Sequence, residues 1–129
     1  MQFEYFYGKQ GGQYSFYRIP KQLFTEHQFD TLSIGAKLLY GMMIDRMELS
    51  QKNGWIDERG RAYIYFTVDE VKERFHCAND KAVKLMRELD SEKGIGLIES
   101  VRQGLGKPNV IYVKNFVSGI NQRGIGYDG

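Results

Sequence analysis

YIYFTVDEVKERFHCANDKAVKLMRELDSEKGIGLIESVRQGLGKPNVIYVK, residues 63–114, reads as strand, helix, turn, helix, hairpin. Tyr63–Phe66 is aromatic and β-branched, as strands are. Val68, Val71 and Phe75 recur at helical spacing, and Thr67 and Glu70 ahead of them have the capping-box pattern, so a helix is expected over Val68–Phe75. The break His76–Cys77–Ala78–Asn79 leads into a second helix, Asp80 to about Glu92, with Asn79 as its N-cap. Ala82, Leu85, Met86 and Leu89 fall on one face of that helix, and Asp80, Lys81, Lys84 and Arg87 on the other. Lys93–Gly94 closes it with a glycine just past a basic turn. Leu97–Arg102 and Asn109–Val113 then alternate as strands around a glycine-rich loop. The order gives an α+β fold, a winged helix-turn-helix, in which the second helix enters the DNA major groove.

Working outward toward the N-terminus, Trp55–Ile56 and Ala62–Phe66 are short strands turned by Asp57–Glu58–Arg59–Gly60, and Asn53–Gly54 ends the unit before them. That unit is a helix capped by Ser33. Ile34, Leu38, Leu39, Met42, Met43 and Met47 give it one broad buried face, with the methionines as core filling. Lys21–Phe24 forms a single helical turn. The first residues are densely aromatic: Phe3, Tyr5, Phe6 and Tyr7, then Tyr14, Phe16 and Tyr17, around the turn-forming run Gly8–Lys9–Gln10–Gly11–Gly12. This reads as an N-terminal aromatic β-hairpin or arm, and a lone hairpin needs a surface to pack on. Two readings stand: it covers its own domain, or it reaches a second subunit and builds a dimer through Phe3, Tyr5, Tyr7, Tyr14 and Phe16. The chain thus divides into a hairpin or dimerisation arm (1–18), a winged-helix domain (19–117) and a glycine-rich flexible tail or linker (118–129).

Composition narrows the classes. At 129 residues the chain has single-domain length, and 42% apolar and 14% aromatic residues suffice for one core. No run of apolar residues is long enough to span a bilayer, and Met1–Tyr5 lacks the features of a signal peptide, so no membrane partner is expected. The single cysteine, Cys77, fits a reducing cytoplasm. The net charge of +2 permits nucleic-acid binding without arguing for it, so the placement of charge decides. Enzyme readings fail. Gly104–Leu105–Gly106–Lys107 resembles a phosphate loop, but Pro108 replaces the required hydroxyl residue and a strand follows. His27, His76 and Cys77 lack metal-ligand spacing. Asp57, Glu58, Asp69, Glu70 and Glu73 are explained by turns and first helical turns. No catalytic residue, cofactor or metal is expected.

Two constellations point to DNA. On the second helix Asn79, Asp80 and Lys81 lie nearest the start, where base edges are read, while Lys84 and Arg87 suit phosphates or, for Arg87, a guanine edge. In the hairpin Arg102, Gln103, Lys107, Pro108 and Asn109 form a wing that would run along the phosphates or into the minor groove. A basic helix face is also common as plain solvated surface, and a winged helix can serve protein contacts instead.

Phe16–Lys21, Ala36–Gly41, Asp45–Met47, Lys52–Asp57, Tyr63–Thr67, Gly96–Glu99 and Gln103–Phe116 together resemble the N-terminal domain of the RepA_N plasmid replication initiators of Gram-positive bacteria. The resemblance covers about residues 14–117 and departs from the family pattern at Asn79–Asp80. It implies binding to repeated sites (iterons) in double-stranded DNA at a plasmid origin, initiation of replication, and self-association of this domain. It also implies a further C-terminal domain after a linker, through which host replication proteins would be met. A transcriptional regulator of the same fold, bound to a promoter palindrome, is the alternative.

Overall fold

Ser33 starts the longest element because its hydroxyl accepts the Ala36 N–H at 3.1 Å while its own backbone is extended. The computed structural model describes residues 2–8, 12 and 14–117. In chain order it contains α1 (Gln22–Thr25), a 3-10 turn (His27–Phe29), α2 (Ile34–Lys52), α3 (Val68–Phe75), α4 (Asn79–Leu89), β1 (Ile98–Val101) and β2 (Val110–Val113). α1 sits one residue later than the sequence pattern places it, with Lys21 as its cap. No helix is long and apolar enough to cross a membrane among the described residues.

α2 differs from the single-stripe helix expected. Ile34 and Leu38 are exposed, whereas Ala36, Leu39, Tyr40, Gly41 and Met43 are buried, and so are the polar Lys37 and Ser50. The reason is position: α2 is covered on several sides. Ile19 crosses it at Gly41, where a Cβ would lie 2.1 Å from the Ile19 Cδ1. Tyr40 sends its hydroxyl to the Lys114 carbonyl beyond β2, and burial pushes that phenol up to about 12 despite an opposing backbone hydrogen bond at Phe116. Lys37 lays its Nζ 4.6 Å from the Phe24 ring centre, a cation–π contact that keeps a buried ammonium partnered.

α2 ends at Asn53, and Gly54 takes φ +78 to turn the chain. The short strands expected next shrink to one bridge, Ile56 to Ala62. Asp57 organises the turn between them: its carboxylate accepts the N–H groups of Arg59 and Arg61 and the Arg61 Nε at 2.9 Å. It also takes the Tyr112 hydroxyl at 3.0 Å, tying this turn to β2. Hydrogen bonds from the Arg61 backbone, and then its side chain and Tyr112, hold Asp57 down at about 2.

β1 and β2 are antiparallel with Ile98 opposite Val113 and Val101 opposite Val110. Ile64 exchanges backbone hydrogen bonds with Ile111 at 2.9 and 2.8 Å, so the Tyr63–Phe66 segment adds a minimal third strand along β2. The core gathers Leu23, Leu39, Met43, Ile64, Val71, Leu85, Leu89 and Ile98 between α2, the helix pair and this sheet. Helix, strand, helix, helix, hairpin is the winged helix-turn-helix.

Candidate nucleic-acid interface

α3 is fixed at both ends by local chemistry. The Thr67 hydroxyl accepts the Glu70 N–H at 3.1 Å, and the Glu70 carboxylate accepts the Thr67 N–H at 3.3 Å. Glu70 also receives Arg46 at 2.7 Å; these partners outweigh the burial that would raise its carboxyl and leave it below the ordinary range. The Arg46 guanidinium donates to the Tyr65 carbonyl at 2.7 Å and lies over the buried Phe66 ring, anchoring α3 to α2. His76 ends α3 in the left-handed region (φ 51, ψ 50), and the His76 and Cys77 N–H groups both return to the Lys72 carbonyl.

The turn hands over to α4 one residue earlier than expected. Ala78, at φ −80 and ψ 171, is the N-cap, and Asn79 is already helical. The Asn79 amide is therefore not consumed by capping. α4 also stops sooner than expected, at Leu89, because Asp90 turns extended and spends its carboxylate on the N–H groups of Glu92 and Lys93. Gly94 does not cap the helix but lies against it, so close that a Cβ would come within 2.1 Å of the Arg87 carbonyl oxygen and 2.2 Å of that of Glu88.

On α4, Ala82, Leu85 and Leu89 are buried against α3 and α2, while Asn79, Asp80, Lys81, Lys84 and Arg87 are exposed. Asn79, Asp80, Lys84 and Arg87 line one shallow groove with Val83. A second groove places Ser33, Ile34 and Gly35 of α2 opposite Asp80, Lys81, Lys84 and Leu85. Glu88 fastens this junction: its carboxylate accepts the Ser33 N–H at 2.7 Å, the Ser33 hydroxyl at 2.8 Å and the Lys84 ammonium at 3.1 Å. Burial pushes the Glu88 carboxyl up, but those hydrogen bonds prevail and hold it below its usual value. The sequence shows Ser33 as a helix cap but not its meeting with Glu88, because the two lie 55 residues apart and no local pattern records the contact.

The wing residues Arg102, Gln103, Lys107, Pro108 and Asn109 are all exposed. β1 begins where Ile98 bridges to Asp90, so the hairpin is mounted directly on the end of α4. Asn109 has a structural duty, its amide donating to the Ser100 hydroxyl across the hairpin at 3.3 Å. β2, not a helix, follows the Gly104–Lys107 run, which therefore has no phosphate-loop geometry. Among the described residues Lys81, Arg87, Arg102 and Lys107 form no ion pair, and neither do Lys21, Lys52, Arg59, Lys93 and Lys114, whereas Arg18, Arg46, Arg61, Lys72, Arg74 and Lys84 each face a carboxylate. No group of His, Cys, Asp and Glu among those residues is arranged to hold a metal ion.

The arm carries no strand among its described residues, which are exposed. Phe3, Tyr5, Tyr7, Tyr14 and Phe16 are all exposed, and Phe6 meets Tyr14 edge to face at 6.2 Å. The expected turn residues Lys9–Gly11 and the expected tail, 118–129, lie outside the described residues. The root of the arm is pinned, with Tyr17 receiving an Arg74 N–H at 2.8 Å and Arg18 paired to Glu48.

This arrangement recurs in known proteins. Over 94 residues the chain is 32% identical to the "41 kDa protein" of Lactobacillus helveticus, a match that takes in 73% of this chain and 26% of that protein. The chain thus spans about a quarter of that relative's length. A solved structure described as "N-Terminal domain of DNA binding protein" superposes with a TM-score of 0.69 at 30% identity, covering 95% of each chain. Another, "Structure of Rep-DNA complex", gives the same score and identity over 93% of this chain and 95% of the other. A third, "Structure of MDR initiator", scores 0.63 at 30% identity over 93% and 98%. The family described as replication initiator protein A (RepA) N-terminus matches residues 15–124, and it is to this family that the chain belongs.

Proposed function

We propose that this domain binds double-stranded DNA at repeated sites in a plasmid origin and thereby initiates replication. The observation that carries the reading is the set of unpaired cations on the two elements a winged helix offers to DNA: Lys81 and Arg87 on α4, Arg102 and Lys107 on the wing. Other cations are unpaired as well, but these four share the two elements a winged helix turns toward DNA, where they suit a polyanionic partner. The relative described as a Rep–DNA complex supports the same partner. In this reading α4 lies in a major groove with Asn79, Asp80 and Lys81 at base edges, while Lys84 and Arg87 meet phosphates and Gln103, Pro108 and Asn109 shape the wing beside them. The aromatic arm joins two copies through Phe3, Tyr5, Tyr7, Tyr14 and Phe16, and host replication proteins are met through a region outside this domain.

Footprinting on the DNA flanking the gene tests the proposal. Protection of evenly spaced direct repeats is the expected result. A single protected palindrome at a promoter makes the protein a regulator of the same fold. No protection at low salt removes DNA as the partner.

A further inference from the structure

Leu105 is the most exposed large apolar side chain described, at 98%. It stands at the apex of the wing between two glycines, and both take conformations that other residues rarely adopt, Gly104 at φ +130 and Gly106 at φ +76. A Cβ added at either glycine would meet nothing within 4 Å, so neither is small for the sake of packing. Their backbone shapes the tip, which the Lys107 N–H closes on the Gly104 carbonyl at 3.3 Å. The result is one isobutyl group projecting from a tip with no side chain on either side, backed by the unpaired cations Arg102 and Lys107. A tip meant only to follow phosphates would gain from a hydroxyl or an ammonium there. Leucine offers neither, and its exposure forfeits apolar burial. A protein pocket would accept the leucine but would have to desolvate the charges beside it. The minor groove of DNA satisfies both: it is about 6 Å wide and edged by phosphates, and at A·T pairs its floor has an adenine C2–H, with space beside it, where a G·C pair carries an amino group.

Resting on the DNA-binding reading above, we propose that Leu105 is a specificity residue: the wing tip lays its side chain on the floor of an A·T minor groove. There it discriminates against pairs that carry a 2-amino group.

The test uses the full chain and a duplex carrying a single protected repeat. Each adenine is replaced in turn by 2,6-diaminopurine, which adds an amino group in the minor groove and leaves the major-groove pattern unchanged. Wild-type protein is expected to lose about tenfold in affinity at one or two adjacent positions, the scale of displacing one buried apolar side chain. L105A is expected to bind the unmodified repeat about tenfold more weakly, to ignore the added amino group, and to keep the wild-type salt slope, since no phosphate contact is removed. L105Q, equally free of packing conflicts, is expected to behave in the same way. The proposal is overturned if diaminopurine has no effect at any position, or if L105A binds the single repeat like wild type. It is also overturned if L105A is defective only on two adjacent repeats, which would make Leu105 a contact between neighbouring copies. Failure of wild type to bind any origin duplex is a separate result, and it removes the DNA reading itself.

Discussion

Glu88 uses one carboxylate to hold three donors on two helices, and its worth is measurable against that of Lys84. Replacing Glu88 with alanine leaves the Ser33 N–H without its acceptor at a half-buried site. A loss of about 1–3 kcal/mol in urea unfolding is expected, the cost of an orphaned polar group. Lys84→Ala removes only an exposed pair one helical turn apart, so its loss is expected to stay within about 0.5 kcal/mol. Equal losses would mean that the ion pair, and not the hydrogen bonds to Ser33, joins α4 to α2. Asp57 sets the acid limb of stability. Its folded value of about 2 lies below its ordinary 3.8, so its contribution is complete above about pH 4 and disappears as pH falls toward 2. Glu88 and Glu70, also held low, act in the same direction. Urea midpoints of Asp57→Asn measured from pH 5 to pH 2.5 are accordingly expected to fall less steeply than those of the wild type. On DNA, Arg87→Ala and Lys107→Ala are each expected to lower the log–log salt slope by about one, the signature of one lost phosphate contact. Slopes unchanged in both variants would leave these side chains in solvent.

At the level of elements, the starts of α2 and α3 were readable, whereas α4 begins one residue before its expected cap and its stop was not readable. Ser33 and the Thr67–Glu70 pair act within three or four residues, so sequence spacing reports them directly. The end of α4 is set by contacts beyond that range, where Asp90 redirects its carboxylate and Gly94 folds back onto the last turn. The exposed face of α4 was legible as well, because charge and periodicity agree there. What periodicity could not supply was the burial of α2, since it registers where apolar residues recur and not how many neighbours surround the helix. Gly94 and Gly41 separate two kinds of tight packing. An added methyl at Gly94 meets backbone carbonyls that cannot move without unwinding α4, so Gly94→Ala is expected to cost upwards of about 3 kcal/mol in thermal or urea denaturation. At Gly41 the nearest atom is the end of the Ile19 side chain, which can rotate aside, and a smaller loss is expected. The reverse order would place the critical joint at the root of the arm instead of at the link between recognition helix and wing.

For the whole molecule, a net charge of +2 says little about a DNA partner. The informative point is where the open cations sit, and it appears only once distant carboxylates such as Glu48 and Glu70 are brought to Arg18 and Arg46. The arm raises a question at the same scale. Its exposed rings are expected to join two copies, so removing residues 1–13 should leave a folded monomer in sedimentation, and an unaltered oligomer would rule out the arm as the joint. The folded body should tolerate that cut, because its core draws nothing from those residues. α2 determines how this body comes apart. It is enclosed by Ile19, α4 and the chain beyond β2, and Glu88 closes the cap of its first turn. Its central turns are therefore held on most sides, although Ile34, Leu38 and Leu49 face solvent. Its central amides, around Leu39 to Met43, are expected to exchange with deuterium only through global opening, while those of the arm exchange at once. Recognition helix, wing and the root of the arm would then be lost together, in a single cooperative event.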